Sequence, residues 1–223
     1  MNVHQRILGA RPARQGIRQA AGHNGAMHGI QDEIAAVAAR LVVEDGLDFG
    51  SAKRKALAQM DLPERSALPD NDRLERAVEE YIAVFCPEEQ AQELHALRLL
   101  AARWMRRLQA FNPFLSGAVW SGIATRRSDI YLQLFCEDSK MTEIDLINLN
   151  IQFTPRRVKG LLGEPVDALS IHAWSEELGE DIGLHLMVYD VDDLRRAPKS
   201  DTRGRRLRGD LRAVEQLIDL AGT

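Results

Sequence analysis

The stretch from Gly117 to Phe135 constrains this chain more than any other. Ile130, Leu132 and Leu134 alternate there with Asp129, Tyr131 and Gln133, which is the period of a half-buried strand. Side chains two apart on a strand point to the same face, so Asp129, Tyr131 and Gln133 line one side and the aliphatic residues the other. Gly117 and Gly122 precede the strand, with Ala118-Val119-Trp120-Ser121 between them and a polar Thr125-Arg126-Arg127-Ser128 turn after them. A glycine turn that presents backbone amides beside a carboxylate is suited to a phosphate group.

The remainder of the chain is read around that stretch. Its 223 residues suffice for one substantial core, or for a small domain with a helical arm. A net charge of −4 argues against non-specific nucleic-acid binding by the protein as a whole. Cys86 and Cys136 match no metal spacing and no disulfide framework. No apolar run approaches the ~20 residues of a membrane span. A reduced, cytoplasmic setting without membrane contact is therefore expected, and the oligomeric state is left open. Residues 1–26 carry Arg6, Arg11, Arg14 and Arg18 with no acid, and read as a disordered tail, with Met27 as an alternative start.

Helical periodicity then predicts helices over 31–44, 52–60 (capped by Ser51), 72–85 and 87–110. Lys53, Arg54 and Lys55 form a basic first turn, read as solvated or as facing a partner. The last helix begins at Pro87 with Glu88 and Glu89 and carries an inward stripe through Leu94, Leu97, Ala101, Trp104 and Leu108. Strands are expected at 129–135, 151–154, 166–174 and 184–189, with helices at 140–148 and 210–221. Asp190, Asp192 and Asp193 read as an acid-rich turn. The basic run Arg195–Arg208 lacks apolar periodicity and reads as a mobile loop. Helices first and a mixed sheet afterwards is an α+β arrangement, divided as a tail (1–26), a helical region (27–111) and an α/β domain (112–223).

The Gly117–Phe135 pattern resembles the nucleotidyltransferase superfamily of the DNA polymerase beta type, in its minimal form. Its hallmark is Gly-Ser opening a helix, then Ser-Asp-x-Asp opening a strand. Gly117, Gly122, Ser128 and Asp129 match it. Ala118 stands in place of the serine, and Tyr131 in place of the second carboxylate. The resemblance implies a nucleotidyltransferase-like mixed sheet with flanking helices, and a nucleoside triphosphate as partner. It also implies Mg2+ or Mn2+ held at Asp129, and a catalytic role for Asp129. Gly117, Ser121, Gly122, Arg126, Arg127 and Ser128 would hold the nucleotide. The third acid's place falls near His185, which would serve instead as a metal ligand or as general base toward an acceptor hydroxyl.

Three functions follow from this reading. The first is transfer of a nucleoside monophosphate to an unidentified acceptor. The second is a catalytically degenerate relative that binds a nucleotide or a partner. The third is RNA binding through Arg195–Arg208, where arginines would contact phosphates but no aromatic residue would stack bases.

Overall fold

The computed structural model describes residues 16–221, with side chains from Gly29 onward. Residues 1–15 of the expected tail lie outside the described residues, whereas 16–26 belong to the first helix, Gly16–Asp45, which begins ahead of the expected Gln31. Four helices come first: α1 (Gly16–Asp45), α2 (Phe49–Gln59), α3 (Asn71–Phe85) and α4 (Pro87–Arg107). A single 3-10 turn, Gln109–Phe111, leads to β1 (Phe114–Ser116), α5 (Gly117–Ser121), β2 (Ile130–Cys136) and α6 (Ser139–Asn148). Then follow β3 (Thr154–Lys159), β4 (Pro165–Ser175), β5 (Glu180–Asp190), α7 (Asp193–Arg196), β6 (Arg208–Gly209) and α8 (Leu211–Ala221). The fold is α+β, an N-terminal helical region followed by one mixed sheet in the order β3-β4-β5-β2-β1-β6. Only β2 and β5 are parallel neighbours within it. Among the described residues no helix is long and apolar enough to cross a membrane.

Helix starts follow capping chemistry. Asp70 and Asp138 accept hydrogen bonds from the backbone amides of Arg73 and Lys140, opening α3 and α6. In α2 the cap is Asp48, which accepts from the Ser51 amide at 3.0 Å, so the helix begins ahead of the Ser51 expected to cap it. A carboxylate satisfies that orphan amide at least as well as a hydroxyl. Lys53 departs from the expected solvated triplet. It is buried and donates to Asn71 Oδ1 at 2.7 Å, and burial pushes its pKa down.

The apolar core divides between α3 and α4. Ile34, Ala38 and Leu41 of α1 pack with Ala56 and Leu57 of α2 and Leu74, Val78 and Ile82 of α3. The helix α4 instead joins the sheet, laying Leu94, Leu97, Ala101, Met105 and Leu108 over Ile130, Leu132, Leu134, Leu184 and Leu186. Met105 takes the place expected of Trp104, which is only partly buried. A strict seven-residue stripe drifts around a 3.6-residue helix, and here the drift turns the indole toward the edge of the packed face.

Two further expectations are corrected. The strand read at 151–154 lies at Thr154–Lys159, an exposed edge strand in which Pro155 is tolerated. Ile151 and Phe153 pack on the core ahead of it. The segment Arg195–Arg208 is not a loose basic loop. Arg205 is ion-paired with Glu75, Glu79 (3.1 Å) and Asp201 (2.8 Å), while the Thr202 hydroxyl donates a hydrogen bond to the Asp72 carboxylate and Arg203 to the Asp72 carbonyl. Arg208 is buried and donates to Gln133 at 3.1 Å. Asp72, Glu75 and Glu79 lie on the face of α3 away from its core stripe, so they draw the arginines onto the helix. The Glu75 and Asp201 carboxylates of this network are only 13% and 14% exposed, so removing the guanidinium leaves shielded carboxylates without a partner. Arg205→Ala should therefore lower the melting temperature by a few degrees and speed limited proteolysis within 199–207.

Candidate functional site

The site is assembled where β1 turns into α5 and where β2 begins. Gly117 opens α5 with φ +71°, a left-handed conformation that favours glycine. Gly122 closes it with φ +95°, its amide donating to the Ala118 carbonyl. The helix α4 holds this loop in place. Gln90 Nε2 donates to the carbonyls of Gly122 (2.9 Å) and Ala124 (2.8 Å), and Arg98 Nε donates to that of Val119 at 3.2 Å. A Thr125–Ser128 turn follows, closed by the Ser128 amide on the Thr125 carbonyl (2.8 Å) and by the Thr125 amide on Ser128 Oγ (3.1 Å). Asp129 emerges from that turn at the head of β2.

Strand register then places three side chains in one row. Tyr131 on β2 is opposite His185 on β5, and His185 is opposite Ser170 on β4. His185 Nε2 lies 3.0 Å from Asp129 Oδ2, and its Nδ1 lies 2.9 Å from Ser170 Oγ. A carboxylate only accepts, so Nε2 carries the shared proton; in a neutral ring Nδ1 then accepts from the Ser170 hydroxyl. The Tyr131 ring leans on the imidazole with centroids 4.8 Å apart. Tyr131 is 41% exposed. Its pKa is raised, chiefly by burial and then by the carboxylates of Asp129 and Asp48, so the phenol stays neutral. Gly183 makes room for the Asp129 carboxylate, because a Cβ there would come within 2.3 Å of Oδ1.

Asp129 and His185, expected at one site, thus meet directly. The expected nucleotide residues divide. Arg126, Arg127, Ser128 and Asp129 line a cavity of about 470 Å³ together with Glu180 and Gly183. Gly117 and Ser121 line another, of about 670 Å³, with Phe49, Trp120 and Arg206. Gly122 lines neither of these two cavities; it ends α5 and is held by Gln90. Arg126 is engaged by Glu180 at 3.1 Å, whereas Arg127 makes no ion pair among the described residues. Ser128 is occupied in its turn, and Ser121 Oγ donates to the Ala118 carbonyl at 3.4 Å. The acid-rich turn closes on itself, Asp190 accepting from the Asp192 amide and Asp193 pairing with Arg196.

Sequence reasoning missed Gln90, Arg98, Ser170 and Gly183. Gln90 and Arg98 left a signal as polar residues on the otherwise apolar buried face of α4. Ser170 and Gly183 gave none, because their roles depend on cross-strand register.

The donor set does not fit Mg2+ or Mn2+. Magnesium takes hard oxygen ligands in an octahedral array, whereas this row offers one carboxylate, a neutral phenol and an imidazole hydrogen-bonded to that carboxylate. Among the described residues no three His, Cys, Asp or Glu side chains are grouped to hold an ion.

No protein family matches the sequence, and no curated protein does. Among solved structures the chain is similar to the Cid1 poly(U) polymerase with MgGTP bound, at 14% identity and a TM-score of 0.29. The match covers 53% of this chain and 38% of that one. At that level of likeness no residue role is carried across.

Proposed function

We propose that this protein is a nucleotidyltransferase-like binder that holds a nucleotide beside Asp129 without transferring it. The observation that carries this reading is the 3.0 Å contact between His185 Nε2 and Asp129 Oδ2. It engages the one carboxylate of the row, while Tyr131 fills the place where the resemblance implies a second. Transfer by this superfamily depends on metal-bound phosphates, and the row lacks the oxygen ligands for that chemistry. Binding needs less. Arg127 makes no ion pair among the described residues and borders the cavity at Asp129, where a guanidinium can grip phosphate oxygens in bidentate fashion.

The test is a thermal-shift titration with each nucleoside triphosphate, with and without Mg2+ or Mn2+, run beside a transfer assay with labelled triphosphate. The expected result is stabilisation that needs no divalent metal, is lost in Arg127→Glu, and comes without transferred label. Ligand at a hundredfold its dissociation constant should contribute about 2.7 kcal/mol. Metal-dependent label transfer abolished by Asp129→Asn would overturn the reading in favour of an active transferase.

A further inference from the structure

A third cavity, of about 520 Å³, opens between α4 and the far end of β4, where β3 no longer pairs with it. Its walls include Trp104, Arg107, Gln152, His172 and Trp174. None of Asp129, His185 and Ser170 lines it. Its size is that of a small-molecule site. Two observations mark it out from the rest of the surface. Trp174 is 57% exposed, an apolar ring left in water at the rim of a hollow. Arg107 lies over the Trp104 ring, its guanidinium carbon 5.3 Å from the centroid. It makes no ion pair among the described residues, although its neighbours Arg103 and Arg106 are paired with Glu177 (2.9 Å) and Glu215 (2.7 Å).

A guanidinium held over an indole keeps N–H donors free for a phosphate oxygen. The indole of Trp174 offers a face for stacking, and Gln152, His172 and Glu176 supply donors and acceptors around the rim. From this combination we infer that the cavity binds a nucleobase carrying a phosphate, with the base stacked on Trp174 and the phosphate on Arg107. Stacking tolerates any base because every base has a π-face, so selectivity among bases should be weak. The expected RNA contact at Arg195–Arg208 has the reverse composition, since those arginines lack an aromatic platform and Arg205 is held by α3. The inference concerns a different cavity from the one at Asp129 and stands whether or not that one binds nucleotide.

The experiment is calorimetric titration of the full chain with uridine and adenosine monophosphates, with single-stranded U8 and A8 RNA, and with inorganic phosphate. The parent is compared with Arg127→Glu, and Trp174→Ala and Arg107→Gln are made in the Arg127→Glu background, with melting temperatures measured for each. Trp174 and Arg107 are exposed, so both variants should fold as the parent does. Binding is expected to weaken about tenfold or more in Trp174→Ala and to lose part of its salt dependence in Arg107→Gln. The Arg127→Glu background removes the phosphate contact proposed for the Asp129 cavity, so the heat read in it comes from the Trp174 cavity. Equal affinity for monophosphate and octamer would identify a free nucleotide as the ligand, and tighter octamer binding would identify an RNA strand. An affinity unchanged by Trp174→Ala in that background, or no heat with any nucleotide or RNA, would overturn the inference. Heat present in the parent and absent in Arg127→Glu would assign the nucleotide to the Asp129 cavity and overturn it equally.

Discussion

Phe135→Ala should destabilise the fold by about 3–5 kcal/mol, the range for removing a large aromatic side chain from a core. Phe135 is fully buried. Its ring stacks on Tyr189 with centroids 5.3 Å apart and meets Phe114 edge-on at 5.6 Å. The Arg208 guanidinium lies over it at 5.9 Å. Truncation would open a hollow among three groups that cannot all move inward, because Phe114, Phe135 and Tyr189 belong to three paired strands. Arg208 would lose its aromatic support while its hydrogen bonds to Gln133 and Pro198 remain. Chemical denaturation should show a lower midpoint with little change in slope. A loss below about 1 kcal/mol, the ordinary effect of a point substitution, would mean that this side of the sheet is not closed.

Tyr131→Asp should create a metal-dependent nucleotide affinity that the parent lacks. Residues 129 and 131 are two apart on one strand face, so the substitution sets two carboxylates within reach of one ion. It also removes the ring that leans on His185 and packs against Gly117, clearing the space beside Asp129. With Mg2+ or Mn2+ present, triphosphate should bind at least tenfold more tightly than to the parent, which is about 1.4 kcal/mol. Thermal shift with and without metal measures this directly. Asp129→Asn in the same background should cancel the gain. If neither the parent nor the variant binds any triphosphate with any divalent ion, there is no nucleotide site at Asp129.

Much of the fold was legible because local backbone geometry decides it. The alternation through Ile130, Leu132 and Leu134 marks a strand, although on its other face only Tyr131 is exposed while Gln133 and Phe135 are buried. Gly117 and Gly122 stand where the chain needs positive φ. Pro87, with Glu88 and Glu89 after it, starts α4 as its residue types require. Each of these signals involves residues within a few positions of one another, so the chain carries it whatever else it packs against.

The candidate site was legible only in part. Asp129 and the turn before it could be read directly, and so could the strand that carries His185. That His185 meets Asp129 on one side and Ser170 on the other depends on β5 lying between β2 and β4 in one particular register. A shift by a single residue would turn every side chain to the other face. Likewise the acids of α3 and the arginines of 203–205 look like two independent solvated runs until the chain folds one onto the other. Trp104 fell in the apolar stripe by spacing, yet the rotation of α4 on the sheet gave that place to Met105. Periodicity selects which face of an element is apolar, but only the packed neighbours decide which side chain at the margin of that face is covered.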